Sequence, residues 1–273
     1  MATPTTSVLP AMGFGVFRYE EQAATDAVTS ALSLGYRHID TAQFYGNKVA
    51  VGRAIRESDV PRDDIFLTTK VRHDRLHHDD LIASLRESLD KLGIKQVDLA
   101  LIRWPSPEDE VPMAEYIAAL NEARELGLAR HIGVSNFTIA QIDEALSLPG
   151  GEHIVTNQIE VHPFLANRKL AEHCADKGIA VTWVMPLAVG KVMEDETLKS
   201  IAAHHEISAA QVALAWVSAH GINVIPSSTK PRNQQSNLEA LDVRLTPEDI
   251  QRIDALDRGE RIANPDFTPN WDE

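Results

Sequence analysis

Short apolar runs of four to six residues alternate along the chain with longer stretches in which apolar positions recur at helical spacing. The first run covers residues 12–16 and precedes a helical pattern over 21–34. Then come 37–40 before 49–57, 65–69 before 79–92, 97–102 before 113–126, 131–134 before 139–146, 155–159 before 167–177, 180–185 before 194–205, and 222–226 before 233–241. Eight strand-helix units follow one another, with no intervening linker rich in Pro, Gly or Ser. Strands that alternate with helices predict a parallel sheet, and eight such units are what a (β/α)8 TIM barrel requires. An open doubly wound sheet is the alternative, but it usually carries Gly-x-Gly-x-x-Gly after its first strand; here Gly13-Phe14-Gly15 has no third glycine at that spacing. A further helix over 246–256, opened by Thr246-Pro247-Glu248 with Asp249 at its third position, lies outside the eight units. The tail from about 258 to 273 reads as loop and is expected near the active-site mouth.

Composition narrows the picture. At 273 residues the chain suits one barrel domain over 1–273, since such barrels commonly use about 250 residues. No apolar run approaches the roughly 20 residues that span a bilayer, so no membrane role is expected. The net charge of −14 opposes nonspecific binding to nucleic acid or anionic membranes, so any anion site must be local. Cys174 is the only cysteine and has no partner for a disulfide within the chain; with no leader-like segment at the start, a reducing cytoplasm is the expected location.

The chemistry gathers at predicted strand ends. Asp40 ends the second strand, Tyr45 follows five residues later, and Lys70 ends the third strand. In a barrel these are the carboxyl ends, where catalytic groups collect. Lys70 beside Tyr45 would favour the phenolate and a buried Asp40 would hold the ammonium, so the phenol could hand a proton to a developing alkoxide. An ordinary Asp40–Lys70 ion pair beside a loop tyrosine is the competing reading. Arg103-Trp104-Pro105 ends the fourth strand, Ser135-Asn136 the fifth, Asn157-Gln158 the sixth and Trp183-Val184 the seventh. Ser135, Asn136 and Gln158 together can donate to and accept from a planar carboxamide such as that of nicotinamide. Ser228, Thr229, Lys230 and Arg232 just before the last unit's helix suit a phosphate. His73, His77 and His78 lack a completing carboxylate-cysteine framework, so no metal site is expected.

These residues resemble the aldo-keto reductase family across nearly the whole chain. The resemblance rests on Gly35 to Ala42 with Tyr45, on Thr69-Lys70, Trp104-Pro105, Gly133 to Asn136, Asn157 to Glu160 and Ile225 to Ser228, all in family order. Within the family the look is of the bacterial 2,5-diketo-D-gluconate reductases, the B type in particular. The resemblance implies a mostly monomeric barrel that reduces small-molecule carbonyls with NADPH, without a Rossmann domain. It implies Tyr45 as general acid, tuned by Asp40 and Lys70, with Arg103 at the fourth catalytic position. Ser135, Asn136 and Gln158 would hold the carboxamide, Val184 would lie under the ring, and Ser228, Thr229, Lys230, Arg232 and Asn237 would take the 2′-phosphate side. Phe17, Lys48, Arg72 and Trp104 would line the substrate pocket.

Two positions depart from that pattern. Arg103 stands where this branch has histidine, and Val184 stands where an aromatic stacks on nicotinamide, while Trp183 one residue earlier alternates to the opposite strand face. A guanidinium stays charged and only donates, unlike a neutral imidazole. Lys48 and Arg72 also occupy positions where the B-type enzymes have an acidic residue and a tryptophan. The expected activity is reduction of 2,5-diketo-D-gluconate or methylglyoxal-like carbonyls; the alternatives are an altered reductase of imines or keto acids and a nicotinamide-binding protein of low turnover.

Overall fold

The computed structural model describes residues 8–221 and 223–272. Ile222, expected to open the eighth strand, lies outside the described residues, as do residues 1–7 and Glu273. Eight parallel strands form one sheet in sequence order: β1 (Phe14–Gly15), β2 (His38–Asp40), β3 (Phe66–Val71), β4 (Val97–Ile102), β5 (Ala129–Ser135), β6 (Ile154–Glu160), β7 (Ala180–Val184) and β8 (Asn223–Ile225). The ring is closed by a parallel bridge between Met12 and Val224, with the Gly13 amide donating to the Val224 carbonyl at 2.8 Å and the Gly15 amide to that of Pro226 at 3.0 Å. The fold is therefore a single-domain (β/α)8 barrel.

The helices form the outer layer: α1 (Glu21–Leu34), α2 (Lys48–Glu57), α3 (His78–Leu92), α4 (Met113–Glu125), α5 (Ile139–Ser147), α6 (Arg168–Asp176), α7 (Glu196–His205), α8 (Ala209–Ala219), α9 (Pro231–Glu239) and α10 (Pro247–Asp254). Helix α10 is capped as its Thr-Pro-Glu-Asp start predicts: Thr246 Oγ1 accepts from the Asp249 amide at 3.1 Å and Asp249 Oδ2 accepts from the Thr246 amide at 3.1 Å. Helix α8 is an addition to the predicted set. Val212 to Val217 are all buried in it, so no polar stripe gives it a helical period. Among the described helices none is long and apolar enough to cross a membrane.

Strand phase decides what faces the lumen. His38, Thr68, Phe66 and His131 point inward: His38 Nε2 lies 2.9 Å from Thr68 Oγ1, and the rings of Phe66 and His131 stack at 6.4 Å. Leu9 closes the floor against Leu99 and Leu101. Gly13 is glycine because a Cβ there would stand 2.7 Å from His38 Nδ1. The inward phase carries on through β2, β3, β4, β5, β6 and β7 to Asp40, Lys70, Arg103, Ser135, Gln158 and Val184.

His38 is buried, and burial pushes its pKa down to about 4 from an ordinary 6.5. Between those values the unfolded chain takes up a proton that the folded chain refuses, so stability is fully present above about 6.5 and is lost as pH falls toward 4. The expected loss from this one residue is about 3 kcal/mol, from 1.36 kcal/mol per unit. Urea titrations at neutral pH and at pH about 4.5 should show it, and His38→Gln should flatten the acid limb; an unchanged limb would place the acid sensitivity elsewhere.

Candidate active site

The loop after β2 is built to present a phenol. Gln43–Tyr45 forms a single 3-10 turn, stopped by Gly46 at φ 71°, a left-handed conformation that glycine adopts without strain. Asn47 buttresses the turn from below: its Nδ2 donates to the carbonyls of Val16 at 2.9 Å and Tyr19 at 3.1 Å, and its Oδ1 accepts from Thr41 Oγ1 at 3.3 Å. The Tyr45 ring is thereby fixed over the barrel mouth, 5.0 Å from the ring of Phe17.

Beneath it the charged groups interlock. Lys70 Nζ donates to Asp40 Oδ1, to the Thr41 carbonyl at 3.4 Å and to Tyr45 Oη at 3.3 Å. Both charged side chains are 3% exposed, so the pair sits in a low-dielectric interior. Asp40 Oδ2 accepts from Gln158 Nε2 at 2.9 Å, a hydrogen bond that reaches across the lumen from β6 to β2. Arg103 completes the ring of charge. Its guanidinium lies 4.7 Å over the Phe44 ring and 5.8 Å from that of Tyr45. Burial draws the Arg103 pKa below the ordinary guanidinium value, and Tyr45 and Asp40 pull it back. The Tyr45 oxygen thus accepts from Lys70 with a second cation, Arg103, close to its ring, which leaves its own proton to be directed into the pocket.

Ser135, Asn136 and Gln158 sit beside this group. Ser135 Oγ donates to the Gln158 carbonyl at 2.8 Å; Asn136, left-handed at φ 63°, donates from Nδ2 to the Arg103 carbonyl at 2.9 Å and to Ser135 Oγ at 3.2 Å. Among the described residues no donor reaches Asn136 Oδ1 or Gln158 Oε1. Two amide oxygens are thus left to accept from the NH2 of a ligand carboxamide, which fits that of nicotinamide. Val184 is half-buried on the inward face of β7. Trp183 turns outward, with ring centroids 5.4 Å from Trp216 and 5.9 Å from His220, so it gives no aromatic surface to the lumen. Ser228 is half-buried, while Thr229, Lys230 and Arg232 are exposed at the mouth after β8; Ser228 Oγ accepts from the Lys230 amide at 3.2 Å. Asn237 is buried on α9, whose Gln234 carbonyl takes the Tyr36 hydroxyl at 2.9 Å.

The substrate-pocket expectations divide. Phe17 and Trp104 stand at the mouth, the latter walled by Phe267 at 5.7 Å and Trp271 at 6.0 Å. Arg72 is tied to Asp74 by two hydrogen bonds, at 2.9 and 2.7 Å, with Phe44 5.8 Å away. Lys48 departs from the expectation. It is buried behind the barrel wall, donating at 2.7 Å to Thr69 Oγ1, and Thr69 alternates to the opposite face from Lys70. Burial holds the Lys48 pKa well below the ordinary lysine value, with Lys70 adding to the fall. The three histidines disperse as well: His73 stacks on Phe267 at 4.2 Å, His77 meets Glu115 at 3.2 Å, and His78 meets Glu122 at 2.8 Å.

Four contributors escape sequence reading. Phe44 supports Arg103, and Phe267 and Trp271 come from the distant tail. The fourth, Glu160, is buried at the end of β6 and accepts from the Ile262 amide at 2.8 Å, the Ala263 amide at 2.7 Å and His162 Nε2 at 2.9 Å. Burial alone would raise the Glu160 pKa; these donors hold it below the ordinary carboxylate value. Farther along the tail, Asp272 accepts from the Ile139 amide at the start of α5 at 2.8 Å.

A parallel barrel with Tyr45 over a buried Asp40–Lys70 pair and an amide-lined cleft at its strand ends defines the class, and the chain belongs to the aldo/keto reductase family, whose profile matches residues 11–258. It is 49% identical over 265 residues to methylglyoxal reductase DkgB of Escherichia coli O157:H7, covering 97% of this chain and 99% of that one. Glyoxal reductase of Bacillus subtilis (strain 168) is 37% identical over 260 residues, covering 94% and 93%. A crystal structure assigned to a 2,5-diketo-D-gluconic acid reductase B superposes with a TM-score of 0.93 at 43% identity, covering 97% of this chain and 94% of that one. The chain is accordingly an oxidoreductase of small carbonyl compounds that uses a nicotinamide cofactor.

Proposed function

We propose that the protein reduces aldehydes and ketones of small molecules with NADPH, Tyr45 giving the proton to the carbonyl oxygen. The observation that carries this reading is Tyr45 Oη at 3.3 Å from Lys70 Nζ, with Lys70 held in turn on Asp40. When bound, the nicotinamide supplies hydride; this chain holds the carboxamide with Ser135, Asn136 and Gln158, and its Phe17, Phe44 and Trp104 exclude water from the reacting carbonyl. Arg103 and Lys70 stabilise the phenolate left after proton transfer. The relay favours turnover over a purely binding role, because a protein that only binds nicotinamide has no use for a buried ion pair under a mouth-facing phenol. The names of the relatives point to 2-oxoaldehydes such as methylglyoxal and to 2,5-diketo-D-gluconate as substrates. The same reading makes it a monomer of the cytoplasm, and Cys174, buried with its thiol pushed up to about 11 by burial, an unreactive core residue. Loss of nicotinamide absorbance on adding methylglyoxal is the direct test, and no consumption of NADPH with any of a panel of aldehydes would sink the assignment.

Cofactor choice follows from the exposed cations after β8. If Ser228, Lys230 and Arg232 grip a 2′-phosphate, NADPH binds more tightly than NADH, and the preference shrinks as salt screens the charges over about 10 Å. Lys230→Ala with Arg232→Ala should cut the NADPH:NADH affinity ratio by roughly 10-fold or more, two charge-assisted contacts being lost. Equal affinity for both nucleotides in the parent at low salt would remove this loop from the cofactor site.

A further inference from the structure

The charges at the mouth do not balance. Lys70 is paired with Asp40, and Arg72 with Asp74 at 2.7 Å. Arg103 has no carboxylate within 4.0 Å among the described residues, and its guanidinium, with five N–H donors, faces the rings of Phe44 at 4.7 Å and Tyr45 at 5.8 Å. It is half-buried, its face covered by the Phe44 ring at 4.7 Å, so water reaches it poorly. A partly desolvated guanidinium without a counter-ion is costly unless an anion arrives. In a chain of net charge −14 such an uncompensated cation is a local feature, set against the general field.

We propose that Arg103 is a specificity-determining residue that receives the carboxylate of a 2-oxo acid whose keto oxygen faces Tyr45. This rests on the reductase reading above and names a substrate class for it. The geometry of the ligand matches: in a 2-oxo acid the keto oxygen and one carboxylate oxygen lie on adjacent carbons and can turn to the same side. One planar guanidinium, 5.8 Å from the ring of the tyrosine whose hydroxyl meets the keto oxygen, has N–H groups for the neighbouring carboxylate. The rings of Phe17 and Phe44 leave an apolar surround for the acid's side chain, with Trp104 behind. In the reaction the keto carbon gains a hydride from the reduced nicotinamide nucleotide and its oxygen gains the Tyr45 proton. The product is a 2-hydroxy acid, with the carboxylate unchanged.

The test compares matched pairs that differ only in charge: pyruvate with methyl pyruvate, and phenylglyoxylate with its methyl ester. The parent should favour each acid over its ester in kcat/KM. Arg103→Met should lower the acid:ester ratio by roughly 10- to 100-fold, the worth of hydrogen bonds to a charged group, and Arg103→Lys should recover part of it. Calorimetric titration of oxamate, an unreactive isostere of a 2-oxo acid, into the NADP⁺-loaded protein gives a readout independent of turnover; its affinity should fall by a similar factor in Arg103→Met. An acid:ester ratio or oxamate affinity unchanged by Arg103→Met overturns the proposal while leaving the reductase reading intact. Reduction of methylglyoxal with neither acid reduced does the same. Failure to reduce methylglyoxal, the acids and the esters alike removes the reductase reading and this proposal together.

Discussion

Replacing Tyr45 with phenylalanine is expected to lower kcat/KM for any carbonyl substrate by about 10²- to 10⁴-fold, the range over which a positioned general acid contributes. That corresponds to ~3–5 kcal/mol of transition-state stabilisation. The change removes one oxygen and leaves the ring against Phe17, so the turn at Gln43–Tyr45 keeps its shape. Nucleotide affinity should hold within about twofold, because the phenol acts in the transition state and not in cofactor capture. Steady-state kinetics paired with nucleotide titration separates the two quantities. If more than about a tenth of kcat/KM survives, a loss under ~1.4 kcal/mol, another group donates the proton; if affinity collapses in parallel, the substitution has disturbed the cleft.

The ion pair below the phenol makes the second large prediction. Lys70→Met leaves Asp40 as a buried carboxylate with one remaining side-chain donor, Gln158. Breaking a buried pair in this way should cost about 3–5 kcal/mol of folding stability. Adding Asp40→Asn removes the stranded charge, so the double variant should recover most of the stability while recovering none of the activity, since the phenol has then lost the ammonium that steadies its anion. Urea denaturation of the four proteins in the cycle measures this. A loss below ~1 kcal/mol in Lys70→Met would mean the pair behaves as a surface bridge, and the barrel interior at that level would have to be wet.

The elements that carry the chemistry were legible because a parallel strand buried on both faces makes a continuous apolar run, so its polar terminal residue stands out. Asp40, Lys70, Arg103 and Ser135 announce themselves in this way, Gln158 stands out only as half of the polar Asn157-Gln158 pair within β6, and alternation then separates inward Val184 from outward Trp183. Strand ends were less legible: β3 continues through Val71, because a short apolar run does not show where its ladder stops. Helix α8 was hidden for the opposite reason to the strands, since a helix buried all round has no polar face to mark its period. Lys48 misleads because closeness to Tyr45 in sequence does not set side-chain direction: at the first turn of α2 it reaches Thr69 on the outer face of β3. Phe44 and the tail aromatics were beyond reach, since a contact between Trp104 and residues over 160 positions later leaves no local trace.

The tail is fastened in two separated regions: at the barrel rim, where the Phe164 carbonyl takes the Glu260 amide, Asn167 takes Arg261 and the Glu160 carboxylate takes the Ile262 and Ala263 amides, and at its far end, through Asp272, on the start of α5. Between those fasteners it carries Phe267 and Trp271, the wall of the mouth beside Trp104, while Asp40, Lys70 and Tyr45 lie on other elements. The wall is therefore an exchangeable cassette on a fixed chassis. Its length and side chains can drift, and the repertoire of accepted carbonyls with them, so long as the two clasps persist, while Asp40, Lys70 and Tyr45 stay under the separate constraint of strand register.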